Sequence, residues 1–184
     1  MWSMIGVAFF RGQRYFSNLS SLSAGLSFIL RPGLTPESCV FLEIVKGRFI
    51  SLELVIDNFH FILFNVYAPC ESAERRAFFA SVIYHLQTVD LNHCVCIGGD
   101  FNCTFDPKID RNTAEPHPES CMDLLLYFSH VGLRDIWREL YPNELQFTWN
   151  LIDFGEDPFP DPDSRIFLMT SDSSPLRDGA KIGT

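Results

Sequence analysis

The chain has 184 residues, of which 47% are apolar and 20% charged, the balance of one globular domain rather than of a disordered protein. Its formal net charge is −9, and the whole excess lies in the second half: residues 1–90 hold seven acidic and seven basic side chains, whereas residues 91–184 hold sixteen and seven. No apolar run approaches the ~20 residues of a spanning helix, which excludes a membrane-spanning protein, and no basic patch typical of general nucleic-acid binding is visible.

The acidic excess has two interpretations. The plainer one is a solvated acidic surface. The other is a nucleic-acid contact that is local or bridged by a metal cation. Residues 1–10 are apolar, but no basic segment precedes them and no small-residue cleavage site follows, so no secretory signal is predicted.

In chain order, the first elements predicted are strands of an antiparallel meander. The apolar segments, rich in β-branched and aromatic side chains, cover residues 24–30, 39–46, 48–56 and 59–67. Turn residues end or join them at Arg31-Pro32-Gly33, Gly47 and Asp57-Asn58.

Helical spacing and one more strand follow. Residues 72–88 predict a helix capped by Ser72, and its buried positions are Phe79, Val82, Ile83 and Leu86. Residues 94–98 predict a short buried strand. A second helix is predicted at 120–131, with Ser120 as N-cap, Asp123 as capping-box acid, Leu125, Leu126 and Phe128 on its buried side, and Gly132 as its stop.

This alternation of strands and helices after a run of hairpins predicts a layered α/β domain with mixed sheets. Residues 153–163 are acidic and Pro-rich and predict a loop, and little order is expected after Leu168.

Six cysteines occur, at Cys39, Cys70, Cys94, Cys96, Cys103 and Cys121. Their even number permits disulfides, but the length suffices for a core without them, so buried reduced thiols are the preferred interpretation. A metal site at His93, Cys94 and Cys96 is disfavoured, since on a strand His93 points to the opposite face.

Two polar motifs lie where a predicted buried strand ends, the place where layered α/β folds build sites. They are residues 65–69 (Asn-Val-Tyr-Ala-Pro) and 97–102 (Ile-Gly-Gly-Asp-Phe-Asn). Asp100 and Asn102 would point the same way if strand geometry persisted, with Phe101 turned inward. Such a carboxylate can orient or deprotonate water, and the amide can donate to a developing phosphorane oxygen. An Asx-turn that only caps its own loop is the alternative, and spacing alone favours it.

The two motifs together, about thirty residues apart, resemble the endonuclease/exonuclease/phosphatase superfamily. The nearest resemblance is to the endonuclease domain of LINE-type (non-LTR) retrotransposon polyproteins. Further similar stretches are Trp2, Phe9-Phe10, residues 23–26, 106–112 (DPKIDRN), 132–138 (GLRDIWR), 147–149 and 164–166.

The resemblance implies a DNase I-like α/β fold over residues 1–168: an incomplete four-layer sandwich of two mixed, mostly antiparallel sheets flanked by helices. Residues 169–184 are then expected to form a disordered or irregular tail. It also implies hydrolysis of a DNA phosphodiester with a divalent cation, normally Mg²⁺. By the same resemblance Tyr67 contacts the scissile phosphate, Asp100 activates water and is the one metal ligand retained, and Asn102 is the transition-state donor. Asn65 and Thr148 are assigned to substrate binding.

The departures from the family pattern predict weak or absent catalysis. The family's principal metal ligand is the Glu of a Gln-Glu-Thr motif, which does not occur here, and its terminal Ser-Asp-His is replaced by Ser171-Asp172-Ser173. Where the family reads Ser-Arg-Ile-Asp-Tyr, this chain has Ser164-Arg165-Ile166-Phe167-Leu168. Neither Glu43 nor Glu53, nor any of the five histidines, is placed to substitute. The domain is therefore expected to lack its first strand-helix-strand unit and to be truncated at both ends.

Three hypotheses follow. The first is a retrotransposon-derived endonuclease-like domain with weak or no activity, the second an active Mg²⁺ endonuclease completed by another segment. The third is a non-catalytic module that binds a protein partner at an incomplete sheet edge. DNA is the expected partner if the site is active. Action would then be nuclear, although no basic localisation run is present.

Overall fold

The computed structural model describes residues 12–20, 25–104, 118–143 and 169–170. Three of the four strands predicted to form a meander pair in succession, whereas the first, predicted at 24–30, lies in a separate sheet. Strands β1 (Arg14–Asn18) and β2 (Gly25–Ile29) pair antiparallel as a small sheet of their own. Strands β3 (Ser38–Val45), β4 (Phe49–Ile56) and β5 (Phe59–Tyr67) form successive antiparallel hairpins of a larger sheet.

The large sheet has six strands in the order β3-β4-β5-β6-β8-β7. Strand β6 (Cys94–Asp100) lies parallel to β5 after a helical crossover, whereas the two-residue strands β7 (Arg134–Asp135) and β8 (Met169–Thr170) add antiparallel pairing. The sheet is therefore mixed and mostly antiparallel, as predicted.

Three helices complete the described elements: α1 (Ser72–Leu86), α2 (Glu119–His130) and the short α3 (Ile136–Leu140). No helix among the described residues is long and apolar enough to cross a membrane. Helix α1 packs on the large sheet and on α2, and the main core lies between them. Its largest fully buried side chains include Phe49, Phe79, Val82, Leu86, Val95, Ile97, Phe101, Leu124 and Phe128.

A second, smaller core lies on the other face of the large sheet, where the β1–β2 sheet covers it. Leu52 and Leu54 of β4 are buried there with Leu30, and Tyr15 and Phe28 of the small sheet pack against them. The period-two pattern of β4 thus serves both cores, since alternate side chains point to opposite faces. The described layers are therefore helix, sheet and sheet.

The turn predictions are confirmed by the backbone. Asp57 and Asn58 both have positive φ (51° and 65°), which the two-residue reversal between β4 and β5 requires. Gly47 (φ 66°) closes the β3–β4 hairpin, and a Cβ there would lie 2.5 Å from Leu19 N. Gly132 (φ 75°) follows α2 as its predicted stop.

The predicted caps were wrong at both helices. Glu71 and Pro118 occupy the N-cap positions without side-chain cap hydrogen bonds, and Ser72 and Ser120 lie inside their helices. The buried face of α2 was also misassigned in part. Leu126 is 62% exposed, while Leu124, which the prediction omitted, is fully buried beside Phe128.

The segment predicted to be irregular after Leu168 contains a strand. Met169 pairs with Ile97 of β6 and with Asp135 of β7, so β8 lies inside the large sheet. Such pairing uses backbone groups, which the polar composition of the segment does not reveal. The predicted loop at 153–163 and the rest of the 169–184 segment lie outside the described residues.

The five cysteines whose side chains are described are free thiols, and the prediction that they are buried holds only for some of them. Cys94 and Cys103 are buried and Cys70 is exposed. Burial raises the pKa of Cys96 to about 11, with a further contribution from Cys94. No group of three or more His, Cys, Asp or Glu side chains within the described ranges is arranged to hold a metal ion.

Candidate active site at the carboxyl ends of β5 and β6

The parallel register of β5 and β6 brings the two sequence motifs together. Asn65 is the Cα partner of Gly98, and Tyr67 is the partner of Asp100. Directly paired residues share one face of a sheet, so Tyr67 and Asp100 emerge side by side at the end of the two strands. The pairing of β5 with β6 thus brings together predicted site residues that are far apart in the chain.

Gly99 permits this close approach of the two strands. Its φ is +133°, and a Cβ on it would lie 2.0 Å from Val66 O. Strand β6 therefore continues through Gly98 and Gly99 to Asp100, two residues beyond the predicted strand. The glycine is needed for proximity of backbones rather than for reversal of the chain.

Asn102 is held in a left-handed conformation immediately after β6. Its φ is 50°, its backbone N–H donates to Asp100 Oδ1 at 2.9 Å, and its side-chain Nδ2 donates to Ala68 O at 2.6 Å. The first bond is the Asx-turn that spacing favoured, so strand alternation ends at Asp100. The second bond ties the β6 loop to the loop after β5. Phe101 points into the core, as predicted.

Arg48, which no sequence motif indicated as a site residue, lies against Tyr67. Its guanidinium carbon is 5.5 Å from the centre of the Tyr67 ring, and its Nη1 donates to Tyr67 O at 3.3 Å. Tyr67 N donates in turn to Arg48 O at 2.8 Å. In the sequence, Arg48 is marked only by its place after Gly47 in the turn before a buried strand. The β4–β5 register, with Phe49 opposite Val66, is needed to show that Arg48 lies beside the carboxyl end of β5.

The site is electrostatically mixed. Burial raises the pKa of the Tyr67 hydroxyl above its ordinary value, Cys70 and Asp100 raise it further, and Arg48 opposes them. Tyr67 is therefore a neutral hydroxyl near pH 7, able to donate a hydrogen bond. A guanidinium, a phenol, a carboxylate and an amide thus converge at one edge of the sheet.

Arg75 of α1 fixes the loop that follows Tyr67. The residue is 3% exposed, and it donates to Cys70 O at 2.7 Å, to Pro69 O at 3.3 Å and to Ser120 Oγ at 3.0 Å. It therefore joins α1, the loop after β5 and α2 at one point.

The two residues assigned to substrate binding are not brought together among the described residues. Asn65 Nδ2 donates to Ser27 O of β2 at 3.1 Å and links the two sheets. Thr148 lies outside the described residues, as do the 106–112, 147–149 and 164–166 stretches and the Ser171-Asp172 segment.

The side chains of Glu53, His60, His85 and His93 lie away from the carboxyl ends of β5 and β6. Glu53 pairs with Ile62 on the helix-facing side of the large sheet, where it acts on the pKa of His85, which burial lowers and Glu53 raises. His60 and His93 contact each other at the amino ends of β5 and β6, far from the site, with 3.2 Å between His60 Nδ1 and His93 Nε2. Within the described ranges, Asp100 is thus the carboxylate at the paired strand ends.

Comparison with known proteins identifies one relative by sequence and several solved structures with the same fold. No protein-family model matches the chain. A curated relative, a transposon TX1 protein of Xenopus laevis described as an uncharacterized 149 kDa protein, is 32% identical over 139 residues. The similarity covers 76% of this chain and 11% of that protein, so the chain spans about a tenth of the relative's length.

Solved structures share the architecture at low sequence identity. An AP endonuclease from Archaeoglobus fulgidus has a TM-score of 0.61 at 18% identity, covering 86% of this chain and 66% of that one. An AP endonuclease from Leishmania major has a TM-score of 0.63 at 14% identity, covering 87% and 62%. The endonuclease domain of TRAS1, a telomere-specific non-LTR retrotransposon, has a TM-score of 0.57 at 10% identity, covering 87% and 67%. At these identities the likeness establishes the fold.

Proposed function

We propose that this chain, which resembles the endonuclease/exonuclease/phosphatase superfamily and its LINE-type retrotransposon branch, is a nuclease-like domain that binds a DNA phosphodiester at the carboxyl ends of β5 and β6 and cleaves it weakly or not at all. The observation that carries the proposal is the pairing of Tyr67 with Asp100, with Arg48 over the Tyr67 ring.

The phosphate-binding groups are Arg48 and Tyr67. A guanidinium has five N–H donors in a planar fork that matches phosphate oxygens, and one of those donors is used by Tyr67 O. The Tyr67 hydroxyl, kept neutral by its raised pKa, donates to a phosphate oxygen. A local contact of this kind suits a chain whose net charge is −9, since it requires no extended basic surface.

The groups that act on the reacting atoms are Asp100 and Asn102. One Asp100 oxygen holds the Asn102 backbone N–H, and the carboxylate orients or deprotonates an attacking water. One N–H of the Asn102 amide is fixed on Ala68 O, so its second N–H donates to the charge that develops on phosphorus-bound oxygen. The loop contact holds the amide before substrate arrives.

The donor set fits a magnesium ion in part. Mg²⁺ in such sites is held by one or two carboxylates together with substrate phosphate oxygens and water, and Asp100 would be the carboxylate that holds it. The ion would neutralise charge on the phosphate and allow it to approach the acidic side chain.

The weak-catalysis part of the proposal rests on the sequence. The 184 residues contain neither the Gln-Glu-Thr nor the Ser-Asp-His motif. Loss of one transition-state donor costs about 10²–10³ in rate, and the loss of several groups in this polypeptide would leave nicking near background.

Binding of a short labelled DNA duplex, followed by fluorescence anisotropy over a range of salt concentrations, tests the proposed contacts. Arg48→Ala should weaken binding about tenfold or more, since hydrogen bonds to charged groups contribute about 1.5–3 kcal/mol, and should reduce the salt slope by about 1. Arg76→Ala is the matched control, because Arg76 is an exposed α1 residue paired with Asp123. Equal losses in the two variants, or no binding by the parent chain, would contradict the assignment.

A further inference from the structure

Strand β3 forms an open edge of the large sheet. Residues Ser38–Val45 pair with β4 on one side, and no described strand pairs with the other side. An unpaired strand edge presents alternating N–H and C=O groups that can accept another extended segment.

The two faces of β3 differ in their cover. Cys39 and Phe41 face the small sheet, where the Tyr15 ring stacks on Phe41 at 5.4 Å and Tyr15 Oη lies 2.9 Å from Cys39 Sγ. Val40 and Leu42 face the helical side and are 49% and 44% exposed. The helical side of β3 is therefore an apolar strip at the rim of the sheet.

Helix α1 leaves this strip uncovered because it lies over the next strands. Its His85 ring packs at 5.6 Å from Phe49 of β4 and 6.0 Å from Phe64 of β5. Beneath its edge, Ser51 lies opposite Leu42 and is 1% exposed, with a hydroxyl that has no hydrogen-bond partner in the described structure. The strip is thus continuous with the main core and not an isolated exposed side chain.

The edge lacks the usual protection over most of its length. Natural edges are commonly blocked by Lys, Pro or a bulge. Here the irregularity falls late, between Glu43 and Val45, and Lys46 follows it, so residues 38–43 are regular and contain neither Lys nor Pro. Six residues are the length of an ordinary strand.

The acidic charge near β3 favours a basic partner segment over a second copy of this chain at the open edge. Glu43 is exposed on β3, and Glu53 lies beside Val40 as its Cα partner on the helical side. Pairing of two copies would bring two such acidic edges together on chains that each carry −9. Glu43 lies on the face opposite to Val40 and Leu42, because side chains alternate along the strand. A segment with apolar residues on one face and Lys or Arg on the other therefore complements Glu43.

We propose that the outer edge of β3, residues 38–43, binds an extended segment of a partner protein by β-strand addition, with apolar side chains against Val40 and Leu42 and basic side chains on the opposite face toward Glu43. Backbone pairing would supply affinity, and the alternating side chains would supply selectivity. This surface is separate from the phosphodiester contacts and does not depend on them.

The probe is a synthetic peptide of alternating Val and Lys, with binding followed by NMR amide shifts and by hydrogen exchange of the β3 amides. We expect saturable binding that protects β3 amides from exchange. Leu42→Lys should weaken binding about tenfold or more. Phe59→Lys should leave it unchanged, because Phe59 is equally exposed (51%) but lies on β5, with β4 between it and the edge.

Two further peptides keep the test decisive if Leu42→Lys impairs folding. A peptide N-methylated at the residues that would pair with β3 has the same charge but cannot complete the ladder, so it should not bind. A scrambled peptide with all Lys at one end should also fail. Equal binding of all three peptides would overturn the proposal in favour of general charge attraction. Concentration-dependent self-association lost in Leu42→Lys would overturn it in favour of a second copy.

Discussion

At the scale of single residues, the site depends on a glycine that lets two backbones touch. At Gly99 a Cβ would meet Val66 O at 2.0 Å, and the backbone φ of +133° is one that other residues rarely adopt. Neither atom in this contact belongs to a flexible side chain, so the strands themselves would have to separate. Separation would displace Asp100 from Tyr67.

Gly99→Ala should therefore destabilise the chain by about 3 kcal/mol or prevent folding. Gly33→Ala is the matched control, because Gly33 also has positive φ (+84°) but nothing lies within 4 Å of a Cβ there. The control should cost about 1 kcal/mol, the conformational term alone. Urea unfolding of both variants measures the difference, and similar losses would contradict the close-contact explanation.

The thiols provide a second test at this scale. Cys70 is exposed, whereas burial raises the pKa of Cys96 to about 11. Because the thiolate is the reactive form, Cys70→Ser should remove a fast phase of labelling by a disulfide reagent near neutral pH. Cys96→Ser should leave the fast phase intact and alter only labelling of the unfolded chain. Loss of the fast phase in Cys96→Ser would contradict this, because it would show that the Cys96 thiol of β6 is accessible and reactive in the folded chain.

At the scale of elements, the site loop is held by a buried arginine that bridges two helices. Arg75 donates to the Pro69 and Cys70 carbonyls and to Ser120 of α2. Removal of the Arg75 side chain leaves these buried acceptors without donors. An unsatisfied buried acceptor lowers the free energy of unfolding more than the loss of both partners does.

Arg75→Met should cost about 3 kcal/mol of unfolding free energy. The next residue offers the control: Arg76 forms a 3.6 Å ion pair with Asp123 with both side chains more than half exposed, and such pairs contribute about 0–1 kcal/mol. Arg76→Met should therefore change stability little. Thermal and urea unfolding of the pair measure the contrast, and equal effects would remove Arg75 from its bridging role.

Elements that depend on local patterns could be predicted from the sequence, whereas those that depend on distant contacts, such as the contact of Arg75 with α2, could not. The meander strands could, because period-two patterns and turn residues such as Asp57-Asn58 are local signals. The N-cap of α2 could not, because Ser120, which was predicted there, lies inside the helix and its hydroxyl accepts from Arg75, 45 positions earlier in the chain. Likewise β8 is placed by backbone pairing with β6, which composition does not encode.

At the scale of the whole molecule, two distant motifs form one site because β5 and β6 are parallel neighbours. Tyr67, Asp100 and Asn102 could be predicted as strand-end residues, and the Asx-turn at Asp100 could be predicted from spacing. Arg48 could not, since only the order of the strands shows that its turn lies over Tyr67. The roles assigned to these side chains, and the division of the chain at residue 168, stay predictions.

The acidic charge of the molecule also acts at this scale. A chain with net charge −9 repels DNA at long range, so its proposed affinity depends on Arg48 and on a cation near Asp100. The same charge would draw a basic segment to the β3 edge. One polypeptide could then hold DNA at one edge and a protein partner at another.

Nicking of supercoiled plasmid by the purified 184-residue chain tests the central claim most directly. The reactions contain Mg²⁺, a chelator, or Mg²⁺ with the Asp100→Ala variant, and duplex binding is measured on the same samples. We predict that the chain binds DNA while its nicking with Mg²⁺ stays close to the chelated background. Magnesium-dependent nicking that Asp100→Ala abolishes would contradict this account, since the chain would then hold a complete catalytic set.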